Sequence, residues 1–354
     1  MINIGILGAT GSVGQRFVQL IQNHPWFRLT ELAASERSAG KTYKEATHWF
    51  LDEPMPDAVK NMKVKSCDPS ALNCDIVFSG LDSSVAGEIE ENFAKNDFAV
   101  ISNSKNHRFD SDVPLLIPEV NPDHIEMINV QRKLRGYKRG FIVTNPNCSA
   151  IGLVIALKPL HDAFGVKKVF VTTMQALSGA GYPGVSSLDI IGNVIPFIGE
   201  EEPKLETETL KLLGDLRDNK FVNADMALSA HCNRVNVQDG HLECVSVEFN
   251  KRPDGSDSEI VETVKKTLSG FSAEPQKLAL PFAPANPIHV VLEDNRPQPR
   301  ADRNRDKGMA VTIGRVRPCN LFHVRFALLS HNTIRGAAGA AILNAELLYK
   351  KGYI

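Results

Sequence analysis

Residues 2–14 read INIGILGATGSVG, and this stretch decides the fold of the first part of the chain. Ile4 to Leu7 is an apolar run suited to a buried β-strand, Gly8 to Gly14 is a glycine-rich loop, and Gln15 to Gln22 has its apolar residues at helical spacing. Glycines after a first strand let the backbone approach a pyrophosphate, whose charge the helix N-terminus stabilises. The stretch therefore predicts a dinucleotide-binding loop, and a tight turn without a ligand is the alternative.

The apolar pattern changes along the chain and predicts two kinds of sheet. In the first part, short runs such as Ile76 to Phe78 and Ala99 to Ser102 alternate with helical stretches. This order predicts an α/β fold with a parallel, doubly wound, Rossmann-like sheet. Beyond residue 148, alternating patterns such as Val245-x-Val247-x-Phe249 predict a second, α+β domain with a mostly antiparallel sheet.

The composition is that of an ordinary globular protein. The chain has 354 residues, 43% of them hydrophobic and 23% charged, which is enough for a large core and favours two domains. A net charge of −1 offers no basic field for a nucleic acid, and no stretch resembles a signal peptide or a membrane span. The 6 cysteines lack disulfide or zinc spacing, so we expect a cytoplasmic chain without a metal.

The end of the predicted second strand bears on the choice of dinucleotide. This strand, Arg28 to Ala34, is followed by Ser35-Glu36-Arg37-Ser38. An NAD site places a carboxylate near the ribose, whereas an NADP site needs cations and hydroxyl groups for the 2′-phosphate. Arg37 between two serines favours NADP, although Glu36 points the other way and a solvated loop arginine is the alternative.

Cys148 is the candidate nucleophile. It lies in Asn145-Pro146-Asn147-Cys148-Ser149, between an apolar strand and a helix predicted to run from Ser149 to about Phe164. The positive end of a helix dipole and its free N–H groups favour thiolate over thiol. A small buried hydrophobe is the common alternative for a free cysteine, but the strand-to-helix turn favours the reactive interpretation.

Two further segments carry groups suited to chemistry. Arg234 and His241 flank a short β-like segment, and their odd separation requires a bend or bulge if they share a site. A lone histidine is more often structural than catalytic. The run Glu200-Glu201-Glu202 is most simply a solvated charge run on the residues alone.

The chain resembles the aspartate-β-semialdehyde dehydrogenase family, in particular its archaeal and fungal branch, over essentially its whole length. The matching stretches are GATGSVGQRF, ASERSAGK, NSKNHRFDSDVPLLIPEVN, NPNCSAIGL, MQALSGAGYPG, GEEEPKLETE, HCNRVNVQDGH and HNTIRGAAGAA. The resemblance implies reversible, phosphate-dependent reduction of L-4-aspartyl phosphate to L-aspartate 4-semialdehyde by NADPH. That reaction belongs to the biosynthesis of lysine, methionine, threonine and isoleucine.

The resemblance also implies roles for individual residues. Cys148 is similar to the nucleophile that forms a thioester, Gln175 to the residue that orients the acyl group, and His241 to the acid–base histidine, with neutral and charged forms both accessible near pH 7. The substrate residues so implied are Arg234 for the α-carboxylate, Glu201 for the α-amino group with Glu200 or Glu202 as alternatives, Arg108 and Lys204 for phosphate, and Asn147. The predicted cofactor residues are Gly8, Thr10, Gly11, Ser12, Val13, Gly14, Ser35, Arg37, Ser38, Ser79, Gly80, Ser178, Gly179 and Asn332.

Other functions stay open at this point. A sister acyl reductase, acting on N-acetyl-glutamyl phosphate or malonyl-coenzyme A, would share Cys148 and His241, whereas Glu201 with Arg234 suits an unblocked amino acid. A non-catalytic NADPH sensor is a further alternative, but it would not need Cys148, Gln175, Arg234 and His241 together. We place an NADP-binding domain at 1–147, completed by a C-terminal helix at 332–354, and a catalytic and oligomerisation domain at 148–331. The resemblance implies a homodimer or homotetramer that binds a small substrate and inorganic phosphate.

Overall fold

A computed structural model describes residues 1–354. Its first sheet has six parallel strands in the order β3-β2-β1-β4-β5-β6. The strands are β1 (Ile2–Leu7), β2 (Phe27–Ala34), β3 (Val64–Ser66), β4 (Ile76–Ser79), β5 (Ala99–Ser102) and β6 (Phe141–Thr144). All residues of β4, β5 and β6 are buried because helices cover both faces of the sheet.

The helices around this sheet are mostly crossovers between parallel strands. They are α1 (Ser12–Leu20), α2 (Tyr43–Ala46), α3 (Asp57–Lys60), α4 (Ser83–Lys95) and α5 (Met127–Arg135). The chain runs from β1 outward to β3, and then from β4 outward to β6 on the other side. The strand order therefore reverses between β1 and β4, and ligands bind at such a switch point, outside the carboxyl ends of the strands.

The second sheet is mixed, in the order β10-β7-β11-β14-β13-β12. Its strands are β7 (Val166–Gln175), β10 (Ala227–Arg234), β11 (His241–Phe249), β12 (Ile288–Val290), β13 (Val311–Pro318) and β14 (Val324–Ser330), and a separate hairpin consists of β8 (Asp215–Arg217) and β9 (Lys220–Val222). The β10–β7 and β12–β13 pairs are parallel, and the other three pairs are antiparallel. The predicted two-sheet α/β architecture is confirmed.

The remaining helices pack around this second sheet or return to the first. They are α6 (Cys148–Phe164), α7 (Ser187–Ile190), α8 (Glu201–Leu212), α9 (Asp257–Ser269), α10 (Glu274–Lys277), α11 (Pro299–Asp302) and α12 (Gly339–Lys350). Along α6, apolar residues such as Leu153 and Leu157 lie in one core of 34 buried residues with side chains of the second sheet. No helix is long and apolar enough to cross a membrane.

The end of the chain packs on the first sheet. After β14, a π-helix spans Ile334–Ala338 and leads into α12. Ile342, Leu343 and Leu347 of α12 share a buried cluster with Ile4 and Ile6 of β1. This packing agrees with a first domain completed by a C-terminal helix, and the domain limits 1–147 and 148–331 stay predictions.

Candidate active site

The thiol of Cys148 faces the imidazole of His241, with 3.2 Å between Sγ and Nε2. Cys148 is the first residue of α6, and Asn147 caps that helix by accepting hydrogen bonds from the N–H groups of Ser149 (2.8 Å) and Ala150 (3.2 Å). The cap fixes where the helix begins, and so it also fixes where the thiol is presented.

The other ring nitrogen of His241 determines its tautomer. The backbone N–H of Ala176 donates to Nδ1 at 3.1 Å. Because Nδ1 is the acceptor, a neutral imidazole carries its proton on Nε2, which faces the sulfur of Cys148. A second proton on Nδ1 would break the bond from Ala176, so the surroundings favour the neutral ring.

Burial shifts the pKa values of both groups away from the expectations. Burial, reinforced by the nearby Glu201 carboxylate, raises the pKa of the Cys148 thiol to about 12. Burial, reinforced by the charges of Arg234 and His331, lowers the pKa of His241 to about 3. In the free protein, burial therefore favours the thiol of Cys148 and the neutral ring of His241, whereas the sequence predicted a thiolate and a histidine whose charged form is also accessible near pH 7.

Arg234 and His241 come together differently from the sequence expectation. Arg234 is the last residue of β10 and His241 is the first residue of β11, and both strands pair with β7. The expected single β-like segment is wrong, because residues 235–240 form a loop between two strands. Gln175 ends β7 between them, so three predicted site residues share one end of the sheet.

Glu201 is the acid of the Glu200–Glu202 run that faces this group. One of its carboxylate oxygens accepts hydrogen bonds from the side-chain amides of Asn147 (2.7 Å) and Gln175 (3.1 Å). Glu200 lies at the surface and pairs with Lys105 and Lys204, and the Glu202 carboxylate accepts from a backbone N–H of β10. Of the three acids, only Glu201 therefore contacts Asn147 and Gln175.

Glu208 is a site residue that the sequence did not reveal. Its fully buried carboxylate accepts from Arg108 Nη1 at 2.8 Å and from the backbone N–H of Asn147 at 2.5 Å. It thereby holds a predicted phosphate ligand beside the residue that precedes the nucleophile. Its position on α8, two helical turns after Glu201, was the available signal, since both residues lie on one face of that helix.

One cleft receives part of this group of residues. Its volume is about 340 Å³, and Cys148 lines it, whereas His241, Arg234, Gln175 and Glu201 do not. The predicted residues that line it are Ser12, Val13, Arg108, Asn147, Cys148, Ser178, Gly179, Lys204 and Asn332. The nucleophile and part of the glycine loop therefore open into the same space.

The glycine loop packs as a nucleotide loop requires. Gly8 has a φ of +74°, and a Cβ there would lie 2.7 Å from the carbonyl oxygen of Gly80. A Cβ on Gly14 would lie 2.2 Å from the Gly8 carbonyl oxygen, so neither position accepts a larger residue. Thr10 and Gly11 lie between them, and α1 begins at Ser12, whose following N–H groups are free for an anion. Ser79, the last residue of β4, is buried beside Gly80, with no partner for its hydroxyl.

The predicted 2′-phosphate residues lie in a turn that begins after β2 ends at Ala34. The N–H of Ser38 donates to the carbonyl of Ser35 at 2.8 Å, which closes the turn around Arg37. Arg37 is exposed and forms no ion pair, so its guanidinium is free for a ligand.

The loop after β7 joins the two parts of the cleft. The side-chain amide of Asn332 donates to the Ser178 hydroxyl at 2.8 Å, and its oxygen accepts from Gly240 N–H at 2.8 Å. A Cβ on Gly179 would lie 2.8 Å from Arg234 Nη1 and 3.1 Å from His241 Cε1. Gly179 therefore permits the close packing of this loop on Arg234 and His241. No group of three or more His, Cys, Asp or Glu side chains is arranged to hold a metal ion.

A glycine loop at the switch point of a parallel sheet, opening toward a cysteine–histidine pair, defines a dinucleotide-dependent dehydrogenase. Residues 3–128 match the family model described as semialdehyde dehydrogenase, NAD binding domain, and residues 157–335 match semialdehyde dehydrogenase, dimerisation domain. The chain belongs to the aspartate-semialdehyde dehydrogenase family, as the following relatives show.

The chain is 52% identical over 351 residues to an aspartate-semialdehyde dehydrogenase of Methanothermobacter thermautotrophicus, covering 98% of this chain and 99% of the relative. It is 50% identical over 355 residues to that of Schizosaccharomyces pombe, covering 99% and 98%. A crystal structure of the Candida albicans aspartate semialdehyde dehydrogenase with NADP superposes with a TM-score of 0.91 at 46% identity, covering 100% of both chains. The predicted family, enzyme class and nicotinamide cofactor are confirmed.

Proposed function

We propose that the chain reduces L-4-aspartyl phosphate to L-aspartate 4-semialdehyde with NADPH, reversibly and with release of phosphate, through a thioester on Cys148. The observation that carries the proposal is the 3.2 Å contact of Cys148 Sγ with His241 Nε2 in the cleft that also receives the glycine loop. Placed in biosynthesis, the reaction would serve lysine, methionine, threonine and isoleucine.

The residues present fit NADP. Gly8 and Gly14 leave no room for side chains where the backbone would approach the pyrophosphate, and the unpaired Arg37 suits a 2′-phosphate. When bound, NADPH supplies the hydride of the reaction. Asn332 and Ser178 hold each other on the wall of the same cleft, where they would border the nicotinamide.

Substrate recognition divides among four side chains. Arg234, buried and held at 2.6 Å by the carbonyl of Ala176, offers its remaining N–H groups to the α-carboxylate. Glu201 pairs with no Lys or Arg, so its carboxylate is available to the α-ammonium group. Arg108 and Lys204 line the cleft at the side of Cys148 and supply positive charge for the phosphate.

The proposed chemistry follows from the protonation states of Cys148 and His241. The sulfur of Cys148 attacks the acyl carbon, the C–O bond to phosphate breaks, and the thiol proton leaves with the phosphate. After hydride addition, the Nε2–H of His241 donates to the oxygen that becomes negative, which stabilises that charge as an oxyanion hole does. The C–S bond then breaks, the aldehyde departs, and the sulfur recovers a proton from solvent. One proton from solvent and one hydride are consumed in each turnover.

The decisive test is phosphate-dependent reduction of NADP in the reverse direction. Aspartate semialdehyde, N-acetylglutamate semialdehyde and malonate semialdehyde should be compared side by side. Because Glu201 suits a free ammonium group, only aspartate semialdehyde should support high kcat/KM. Preference for either of the other two aldehydes would assign the chain to a sister acyl reductase, and inactivity with all three would point to a sensor.

We also propose that the chain forms a homodimer through the region of its second sheet. The supporting observations are the match to a dimerisation-domain model and the exposed apolar side chains of Leu188, Ile191 and Phe197 in the segment before α8. Light scattering during size-exclusion chromatography would give twice the chain mass for a dimer and four times for a tetramer, and the mass of one chain would contradict the proposal.

A further inference from the structure

A second cavity lies behind the active-site loops. Its volume is about 280 Å³, near the lower end of the range typical of small-molecule sites. Ser12, Ser178, Gly181 and Thr333 line both this cavity and the cleft that contains Cys148, so the two spaces adjoin. None of the groups proposed for substrate recognition or covalent chemistry lines this cavity.

Asp239 is the first reason to regard the cavity as a binding site. Its side chain lines the cavity, and the residue is only 5% exposed. Its carboxylate accepts no hydrogen bond and forms no ion pair, in contrast to the buried Glu201 and Glu208. Because this carboxylate lines the cavity without a hydrogen-bond partner, an ammonium group placed there would gain a charge-assisted hydrogen bond.

Arg16, on α1, presents the opposite charge to the same space. Its Nη1 donates to the Gln19 side chain at 2.8 Å, whereas its Nε is buried and has no partner. Burial lowers the pKa of Arg16, and the carboxylates of Asp239 and Asp52 oppose that shift, yet neither forms an ion pair with it. The cavity thus holds one unpaired cation, Arg16, and two carboxylates without an ion pair, the nearly buried Asp239 and the exposed Asp52.

Part of the remaining wall is apolar, beside polar residues such as Asn236 and Gln238. Phe50 and Tyr182 stack with ring centroids 5.1 Å apart and an interplanar angle of 16°. Leu177 and Pro183 continue this wall. A ligand that satisfies the cavity therefore needs a carboxylate, an ammonium group and a hydrocarbon portion.

We propose that this cavity binds a free α-amino acid with an apolar side chain. Arg16 binds the α-carboxylate, Asp239 binds the α-ammonium group, and the Phe50–Tyr182 wall packs against the side chain. The inference concerns a site that adjoins the cofactor cleft, and it stands independently of the proposed reaction.

The cavity is connected to His241 through hydrogen bonds between two loops. The N–H groups of Leu177 and Ser178 donate to the carbonyls of Val237 (2.7 Å) and Gln238 (3.1 Å). These two loops hold His241, since one provides the N–H of Ala176 and the other leads directly from Asp239 into β11. A ligand that bridges Arg16 and Asp239 therefore biases the loop that sets the position of His241, and we expect it to change kcat.

Isothermal titration calorimetry on the full chain saturated with NADP tests the proposal. The probes are L-leucine, N-acetyl-L-leucine, which lacks the ammonium group, L-leucinamide, which lacks the carboxylate, and glycine, which lacks the side chain. L-Leucine should bind saturably, and each of the other three should bind at least about tenfold more weakly, because each loses one set of contacts. No saturable binding of L-leucine, or equal binding of N-acetyl-L-leucine, would overturn the proposal.

Matched variants locate the binding. Asp239→Asn and Arg16→Gln should each weaken L-leucine binding at least about tenfold, whereas the exposed control Asp254→Asn should leave it unchanged.

Glu201→Gln separates the two sites: it should impair turnover of aspartate semialdehyde and leave L-leucine binding intact. Weaker L-leucine binding in Glu201→Gln with normal binding in Asp239→Asn would place the amino acid in the active site and contradict the proposal. Tyr182→Ala, at the exposed edge of the wall, provides a further variant should Asp239→Asn fail to fold, and unchanged L-leucine binding in Tyr182→Ala would count against the site.

Discussion

The backbone N–H of Ala176 and the Nδ1 atom of His241 are 3.1 Å apart, so the neutral imidazole accepts a hydrogen bond at Nδ1 and carries its proton on Nε2. A protonated ring would require this N–H to face another N–H. The contact favours the neutral ring, and burial acts in the same direction by lowering the pKa of His241 to about 3.

This arrangement predicts a pH dependence of stability. The unfolded chain binds a proton at His241 below about pH 6.5, whereas burial keeps the folded pKa at about 3. Stability should therefore fall as the pH drops from 6.5 toward 3, by about 2 kcal/mol at pH 5 from this residue. Urea unfolding at pH 7.5 and 5 should show a smaller loss for His241→Gln than for the wild type, and equal losses would contradict the assignment.

Cys148→Ser should fold and bind NADPH but lose turnover by orders of magnitude, because a serine hydroxyl is a much weaker nucleophile. Turnover and NADPH binding should be measured on the same preparation. Substantial activity in a folded, NADPH-binding Cys148→Ser protein would exclude the thioester.

Thiol reactivity of the free enzyme should follow the pKa values. Since burial raises the Cys148 pKa to about 12, its alkylation by iodoacetamide should accelerate with pH across the neutral range without a plateau. Cys319 should react first near neutrality: burial raises its pKa, but the N–H groups of Phe322 and Leu321 outweigh that and lower it overall. Peptide mapping would identify which cysteine is alkylated first. A rate of alkylation at Cys148 that does not depend on pH would contradict a buried, protonated thiol.

Arg37→Ala should raise the KM for NADP far more than the KM for NAD, since only NADP carries a 2′-phosphate for the guanidinium. Arg300→Ala, at another exposed arginine remote from the loop, is the control. Equal effects of Arg37→Ala on both cofactors would remove Arg37 from the cofactor site.

Arg234→Lys should raise the KM for aspartate semialdehyde, because a lysine cannot bind a carboxylate through two hydrogen bonds. It should also lower kcat by roughly a hundredfold, because the acyl carbon would be displaced by about 1 Å from the position needed for reaction with Cys148. A semialdehyde without the α-carboxylate serves as the comparison substrate. If wild type and variant discriminate equally between the two aldehydes, Arg234 does not contact the carboxylate.

Much of this site could be predicted because its signals are local. The glycine loop and the strand-to-helix turn before Cys148 are contiguous segments whose conformation depends on residues within one turn or strand. Arg234 and His241 could not be brought together from their spacing, since their proximity results from the register of two different strands on β7.

The burial of Cys148 and His241 could not be predicted from the neighbouring sequence either. The helix N-terminus at Cys148 favours the thiolate, but the depth of the site depends on packing contributed by distant elements. Glu208 escaped notice for the same reason, because Arg108, its partner, lies 100 residues away in sequence.

The packing of α12 on β1 has a consequence for synthesis. The ribosome releases the six strands of the parallel sheet long before Leu343 and Leu347, and the whole mixed sheet is translated in between. Until α12 docks, the nascent nucleotide-binding half exposes the apolar face that includes Ile4 and Ile6, which leaves it open to aggregation or chaperone capture. The parallel-sheet half, although translated first, is therefore expected to complete its folding only after the mixed-sheet half has been synthesised.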